Sequence, residues 1–423
     1  MRRNASTCAT EKCGPSLTLR RKDTKIFVVR LRSSRAVAVG LVTLSTFTDI
    51  VAYSVAVPVL PDLSRKLGAS PTTIGLLFAS FGVTLLSVSI PMGAVSDRIG
   101  RKAPMVGGLA ALAASTLLFA FADSLPWLFA ARLVQGAADA VTWVVGFALI
   151  ADLYGDDERG RMAGIVMSGT SVAIMIGPSL GGWLYELGGI RLPFLFVTAL
   201  SAAAAAGFLW LRIPAMHATR NIVPIRVVLG TPAIASCAIA VIVVAATLSM
   251  LEPVLALHLA TRLGVGPARV GLVFGVAAVA TMILNPIYGR LADRYGARRL
   301  TMVGLMLEAS VLPFLPLMWS YESAVGLSVL HASMAALAIT PSLAYMGEAT
   351  SEAGIGSFGV SYGLYNMAWG AGLLGGPALG GFLFERIGFA RLALVWAPVI
   401  VAVTLLLARA GQRRIQVPPL EVR

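Results

Sequence analysis

The chain has 423 residues, of which 57% are hydrophobic and only 13% are charged, and its mean hydropathy is +0.82. Soluble domains carry about 25% charged residues, so this composition excludes an ordinary soluble protein and indicates one that crosses a membrane many times. The net charge of +14 does not indicate nucleic-acid binding, because the basic residues lie between the apolar runs, where they indicate topology and contact with anionic lipid.

Residues 1–36 are polar and basic and contain no apolar core of the signal-peptide kind. We expect a disordered cytoplasmic tail; a lipid-binding segment around residues 26–31 is the alternative, and the stretch could also precede the native start. Cys8 and Cys13 lie in this tail, and Cys237 lies in an apolar run. Their spacing matches no zinc site, so we expect free thiols and no disulfide.

Twelve apolar runs follow, each close to the 20 or so residues that a membrane-spanning helix needs. They lie near residues 37–62, 73–95, 103–122, 127–150, 161–186, 193–212, 231–259, 268–291, 300–319, 323–347, 357–384 and 391–409. A polar linker, 213–230, separates the first six from the last six. The sequence therefore predicts an all-α membrane protein with two six-helix bundles, 37–212 and 231–410, and a C-terminal tail, 411–423.

The distribution of lysine and arginine predicts the orientation. An even number of spans places both termini on one side. The N-terminal tail, the loops at 98–102 and 290–299, the linker and the C-terminal tail hold most of the basic residues. Because positive loops stay inside, this side is predicted to be cytoplasmic.

The two halves are internal copies of one another. The segment GAVSDRIGRK begins at Gly93, and GRLADRYGARR begins at Gly289, 196 residues later. GPSLGG at 177–182 recurs as GPALGG at 376–381. Parallel repeats of this kind imply alternating access, in which one half rocks against the other around a site near the midplane. The residues to which we assign gating are Gly93, Asp97, Arg98, Gly100, Arg101, Gly177, Pro178, Asp293 and Arg294.

The charged loop at 93–102 can form hydrogen bonds and ion pairs in addition to indicating topology. Asp97 can accept hydrogen bonds from the N-terminus of a neighbouring helix. Arg98, Arg101 and Lys102 can pair with acids at adjacent helix ends, such as Asp152. We expect such pairs to hold the cytoplasmic side closed while the opposite side is open, although topology alone would also keep the loop basic.

Acidic residues inside the apolar runs are the candidates for transport chemistry, since a charge in the bilayer costs roughly 2.5–3.5 kcal/mol on insertion scales. Asp49 lies near the middle of the first run, one helical turn before Tyr53, so a carboxylate and a ring could together hold an organic cation. Glu252 precedes Pro253, which removes a backbone hydrogen bond and is expected to open the helix beside the carboxylate. The alternatives are an acid buried for packing and a hydrated acid near the outer mouth.

Arg132, Gln135 and Asp139 lie on one face of the fourth helix, at i, i+3 and i+7. Asp139 is either a proton carrier tuned by Arg132 or half of an ion pair that stabilises the bundle. Glu348 ends the tenth run and is either a proton-coupling acid or a solvated acid beside Glu352.

Four polar or aromatic residues could line a substrate cavity: Trp143 in the fourth helix, and Tyr365, Asn366 and Trp369 on one face of the eleventh. Aromatic residues in membrane helices also pack or anchor at interfaces, and that alternative remains open. Glu308 is expected to be peripheral, and His331 is expected to pack. No GK[ST] phosphate loop, metal constellation or nucleophile motif occurs, so we predict no enzyme activity, no cofactor and transport driven by an ion gradient.

Several of these motifs resemble those of a known family. The stretch 37–410 resembles the major facilitator superfamily. The loop at 93–102 resembles its cytoplasmic signature, RLVQG at 132–136 its fourth-helix motif in proton-coupled members, and GPSLGG its fifth-helix antiporter motif. The resemblance makes Arg132 part of the coupling machinery rather than a substrate contact.

A narrower likeness is to the drug:proton antiporter branch that includes the vesicular amine transporters. GLLFAS at 75–80, ARLVQG at 131–136 and MLEP at 250–253 carry it. The resemblance implies that Asp49 contacts an amine and that Glu252 and Glu348 handle cations and protons. The chain departs from the vesicular proteins at Phe81, where they have lysine, at Asn366, where they have aspartate, and in lacking the long loop after the first helix. A neurotransmitter substrate therefore does not follow, and a prokaryotic plasma membrane is favoured.

We therefore predict a proton-coupled antiporter that exports hydrophobic or cationic small molecules. The alternatives are an exporter of a neutral metabolite, such as a sugar or an amino-acid derivative, and a transport-inactive receptor or scaffold. The expected partners are a small-molecule substrate, protons and the lipid bilayer, with no nucleic acid, and we expect a monomer.

Overall fold

The computed structural model describes residues 16–211, 231–352 and 358–412. The predicted linker 213–230, residues 1–15 and residues 413–423 of the tail lie outside this part. The described helices, in chain order, are α1 Ser16–Ser54, α2 Leu60–Leu67, α3 Pro71–Ile99, α4 Lys102–Phe121, α5 Leu125–Leu153, α6 Asp156–Gly188, α7 Arg191–Trp210, α8 Pro232–Arg262, α9 Pro267–Tyr295, α10 Ala297–Val311, α11 Tyr321–Glu352 and α12 Phe358–Gln412.

Eleven stretches in the described residues are long and apolar enough to cross a membrane. The last of them, Gly363–Arg409, has 47 residues. At 1.5 Å per residue it is about 70 Å long, more than twice the roughly 30 Å of a hydrocarbon core. Gly388, with φ 75°, interrupts the helical backbone of α12. The stretch therefore makes two crossings, one in each arm of α12, and the predicted total of twelve is confirmed.

Backbone conformation repeats between the halves as the sequence does. The described glycines with positive φ form three related pairs: Gly68 and Gly264, Gly100 and Gly296, and Gly189 and Gly388. The first two pairs share the 196-residue offset of the charged loops. Only glycine adopts this left-handed region without a steric cost. Gly388 corresponds to Gly189, which lies in the turn between α6 and α7. The last two spans of the second half therefore meet at Gly388.

Two differences from the predicted boundaries have clear physical causes. Helix α1 begins at Ser16, inside the segment expected to be disordered. No proline or glycine interrupts residues 16–36 after Pro15, so the helix can extend through them. At its other end the predicted run 37–62 divides into α1 and α2, because Pro58 and Pro61 cannot donate the hydrogen bonds that would continue one helix.

Helices α1–α7 form the first half, and α8–α12 form the second. We call the side of the two described ends of the chain the inner side and the opposite side the outer side. Between the halves, α3 packs against the first arm of α12, and α6 packs against α9. A Cβ atom at Gly75 would collide with the carbonyl of Pro377, and one at Gly271 would collide with the carbonyl of Pro178. Glycine at these positions lets the outer ends of the halves touch, so the structure is closed on the outer side.

Hydrogen bonds strengthen this outer contact. The backbone N–H of Thr72, at the start of α3, donates to Glu385 of α12 at 2.9 Å. Ser179 of α6 donates to the carbonyl of Gly271 at 3.2 Å. Pro178 therefore lies in the closed contact between the halves, whereas Gly177 packs against Ser54 of α1 within the first half.

Candidate functional site

A buried polar cluster lies where the two halves face each other, and its first element is a carboxylate on α1. Asp49 is 2% exposed. Its Oδ2 atom accepts a hydrogen bond from Thr142 of α5, and its Oδ1 atom has no partner in the described part of the chain. Asp139, one turn before Thr142 on α5, is close enough for its carboxyl group to repel that of Asp49. Two predicted acids from different helices therefore share one buried site.

The second element joins the halves directly. Tyr53 of α1 lies one turn beyond Asp49 and donates its hydroxyl hydrogen bond to Glu252 Oε2 of α8 at 2.8 Å. The ring of Tyr53 packs edge-on against Phe78 and Phe81 of α3. The Tyr53–Glu252 bond brings the substrate and proton candidates of both halves into one cluster.

The helix does not open beside Glu252, so that prediction was wrong. Helix α8 is continuous from Pro232 to Arg262 and passes through Pro253. Proline is tolerated inside membrane helices where neighbouring helices and polar side chains satisfy the freed backbone groups. Ser249, one turn earlier, donates to the carbonyl of Gly372 on α12 and fastens this part of α8 to its neighbour.

The third element is a buried cation. Arg132 of α5 is fully buried, and its Nη1 atom donates to Gln135 Oε1 at 2.9 Å. Its guanidinium lies 4.1 Å from the ring centroid of Phe78 and 5.2 Å from that of Tyr53. Its Nε and Nη2 atoms have no hydrogen-bond partner among the described residues. The guanidinium remains charged, is stabilised by aromatic faces, and interacts electrostatically with Glu252.

The predicted cavity residues lie in both halves, on α5 and on the first arm of α12. Trp143 is one turn from Asp139 on α5 and stacks on Phe147 with ring centroids 5.8 Å apart. Trp369 stacks on Tyr365 in the first arm of α12, with ring centroids 6.4 Å apart. Asn366 directly follows Tyr365 in the chain and is half-buried. Their contact with a substrate stays a prediction.

Glu348 does not join the cluster. It is exposed near the inner end of α11, where its charged neighbour is Glu352. This placement agrees with the solvated acid that the sequence left open as an alternative. Its role in proton coupling stays a prediction.

The charged loop builds a second network at the inner side. Arg101 is 6% exposed; it donates to Asp152 at 2.7 Å, pairs with Asp97 at 2.5 Å and donates to Ser96 at 2.7 Å. Burial disfavours its charge, but the two carboxylates outweigh burial and raise the pKa of Arg101. The predicted Arg101–Asp152 pair is present. All these partners belong to the first half, so they tie the inner ends of α3 and α5 together.

The other gating candidates of the loops are more exposed. Gly93 packs loosely beside Val144, Gly100 adopts φ 87°, and Arg98 points outward. In the second copy Asp293 is exposed, and Arg294 lies over the ring of Tyr295 at 5.4 Å. Ala297 occupies the position of Arg101, so the second copy lacks the buried arginine. A latch between the halves stays a prediction.

Sequence reasoning missed two features. Thr142 could have been found, because it lies one turn from Asp139 and can reach across to α1. Glu308 was expected to be peripheral, which was wrong: it is fully buried, with its Oε1 atom 3.6 Å from His331 Nε2. The signal was present, since a lone acid in a membrane helix is costly unless it faces the interior.

Comparisons with known proteins agree with this architecture. A family model described as the Major Facilitator Superfamily matches residues 42–251 and 237–420. The human chromaffin granule amine transporter is 27% identical over 327 residues, covering 77% of this chain and 62% of that protein. The vesicular acetylcholine transporter of Rattus norvegicus is 31% identical over 353 residues, covering 78% and 65%. The chain thus spans less than two thirds of the length of these curated relatives.

Solved structures show the same fold. A bacterial homologue of the human lysosomal transporter Spinster, in an inward-facing and occupied conformation, superposes with a TM-score of 0.75 at 18% identity, covering 89% of this chain and 97% of that one. The human organic anion transporter TETRAN superposes with a TM-score of 0.66 at 18% identity, covering 88% and 99%.

Proposed function

The chain belongs to the major facilitator superfamily, and from that premise we propose that it exchanges protons for organic cations, such as hydrophobic amines, across the membrane. It is a multi-pass transport protein and not an enzyme. The observation that supports the finer proposal is the Tyr53–Glu252 hydrogen bond between the halves, made beside Asp49 and Asp139. The named relatives transport amines or acetylcholine, which is consistent with a cationic cargo for this chain.

The charges of the cluster favour this exchange. Asp49, Asp139 and Glu252 can together carry three negative charges, and Arg132 carries one positive charge. Full ionisation would leave two negative charges uncompensated in a buried site, which is unfavourable in a medium of low dielectric constant. Two protons supply the missing positive charge, and a monovalent organic cation can take the place of one of them, so a third positive charge would leave an excess. Competition for the same carboxylates therefore couples the two ligands.

We expect an inward proton gradient to set the direction of exchange. From the outer side, protons load the carboxylates and displace the bound cation. From the inner side, protons leave and a new cation binds between the carboxylates and the nearby rings, including Tyr53 and Trp143. Protonation of Glu252 also weakens the bond that Tyr53 donates to it, because a hydrogen bond to a charged acceptor is stronger than one to a neutral acceptor. The proton thus alters a contact that joins the halves.

The remaining assignments are proposals on the same basis. Both termini lie in the cytoplasm, and the protein works as a monomer in a prokaryotic plasma membrane. Asn366 and Trp369 line the second half of the substrate path, and Glu348 receives protons at the inner end of α11. The charged loops at 93–102 and 289–299 close the cytoplasmic side.

Transport into proteoliposomes tests the proposal. Full-length protein is reconstituted with an imposed pH gradient, and accumulation of a fluorescent amine dye is followed in the wild type and in the double variant Asp49→Asn, Glu252→Gln. We expect gradient-dependent accumulation that the double variant abolishes. Glu322→Gln is the matched control, because it removes an exposed acid at the outer start of α11.

Two outcomes would contradict the proposal. Accumulation that survives the double variant would exclude the two carboxylates as the coupling site. Absence of flux for a broad panel of amines, with sugars or amino-acid derivatives transported instead, would favour a neutral cargo; absence of flux for both would favour a receptor or scaffold.

A further inference from the structure

A second buried carboxyl group lies inside the second half, away from the cluster at the interface. Glu308 of α10 is fully buried, and neither of its carboxyl oxygens has a hydrogen-bond partner in the described part of the chain. Its Oε1 atom lies 3.6 Å from His331 Nε2 of α11. This separation exceeds a normal hydrogen bond but needs only a small side-chain adjustment to become one.

A third polar group belongs to the same place in the bundle. Ser328 lies one turn before His331 on the same face of α11, is 6% exposed, and has no hydrogen-bond partner for its hydroxyl among the described residues. Buried polar groups are normally paired, and an isolated ionised carboxylate in such a site costs several kcal/mol. Three buried polar groups without other partners on facing helices indicate a shared ligand.

The electrostatic surroundings restrict that ligand. Helices α8, α9 and α12 pack around α10 and α11. Among the described residues, none of the titratable groups on these helices, such as Glu252 and His258 of α8, Tyr288 of α9 and Tyr365 of α12, forms a hydrogen bond with the carboxyl oxygens of Glu308 or with His331 Nε2. The pair must therefore balance its own charge. One carboxylate, one imidazole and one hydroxyl provide too few oxygens for a hard metal cation, which prefers six or more oxygen ligands.

We propose that Glu308 and His331 form a second proton-binding site, which holds one proton between the carboxyl and imidazole groups, with the Ser328 hydroxyl completing the hydrogen bonding. With one shared proton the pair has no net charge, whichever residue carries it. Loss of that proton leaves a lone carboxylate in the bundle, and gain of another leaves a lone imidazolium. The site is separate from the interface cluster and does not depend on the identity of the cargo.

Infrared spectroscopy tests the assignment directly. Full-length protein in lipid is titrated from acidic to alkaline pH, and the carbonyl band of protonated carboxyl groups is recorded. We expect Glu308→Gln to remove one component of this band. His331→Gln, which takes away the partner for the proton, is expected to move the midpoint of that component by about one pH unit or more. Glu322→Gln, on an exposed acid of α11, is expected to leave the Glu308 component and its midpoint unchanged.

Two results would overturn the proposal. An unchanged protonated band in Glu308→Gln, together with unchanged imidazolium ring bands in His331→Gln, would show that the pair binds no proton in the range titrated. A midpoint that His331→Gln does not move would show that the two residues do not share a proton. If Glu308→Gln fails to fold, the His331→Gln titration and a Ser328→Ala variant, expected to shift the frequency of the Glu308 component, still decide the question.

Discussion

Removing the hydroxyl of Tyr53 isolates the bond that joins the halves at the candidate site. The variant Tyr53→Phe keeps the ring that packs on Phe78 and faces Arg132, and it deletes only the 2.8 Å hydrogen bond to Glu252. Hydrogen bonds to charged groups contribute about 1.5–3 kcal/mol. If the bond exists only while the outer side is closed, its loss should shift the equilibrium toward the outer-open state by about 10- to 150-fold, since 1.4 kcal/mol corresponds to a factor of ten.

Distance measurements between spin labels report this equilibrium. Lys66 and Arg386 are exposed on the outer side of the first and second halves, and labels there separate when the outer side opens. The labels are attached to cysteines in a background without Cys8, Cys13 and Cys237. We expect Tyr53→Phe to enlarge the population at longer distance.

A matched control separates this effect from the general loss of a tyrosine hydroxyl. Tyr185 of α6 donates a hydrogen bond to Asp62 of α2, and both residues belong to the first half. Tyr185→Phe should therefore leave the distance distribution unchanged. The reasoning is refuted if Tyr53→Phe does not change the distribution, or if Tyr185→Phe changes it equally.

Two further predictions address the outer contact between the halves and the buried Arg101 network at the inner side of the first half. Gly271→Ala places a Cβ against the Pro178 carbonyl and should keep the outer side from closing, which would be measured as lost transport and as greater labelling of an outer cysteine. Gly326→Ala, where a Cβ meets open space, should be neutral. Equal activity of the two variants would count against this contact. Arg101→Ala leaves two carboxylates without their buried partner and should lower the free energy of unfolding by about 3 kcal/mol, measured by thermal denaturation in detergent. The exposed Arg98→Ala should cost far less, and a similar loss from both would indicate a general charge effect.

Sequence alone predicted the number of spans, the two repeated halves and most of the helix boundaries. Those features depend on local quantities. A run of about 20 apolar residues is costly to leave in water, and a positive φ at Gly68, Gly100 or Gly189 favours glycine whatever packs around it. The same local argument identified Asp49, Asp139 and Glu252 as costly acids inside the membrane.

Only the tertiary structure decided which of these acids meet. Tyr53 and Glu252 are 199 residues apart in the chain and meet through a single hydrogen bond, whereas Glu348 lies apart at an exposed helix end. Glu308, judged peripheral from its neighbours in sequence, is fully buried beside His331. The physical reason is that contact between helices depends on how far each helix is rotated about its axis and shifted along it. Those quantities are determined by the packing of the whole bundle, including the glycines that let the two halves touch.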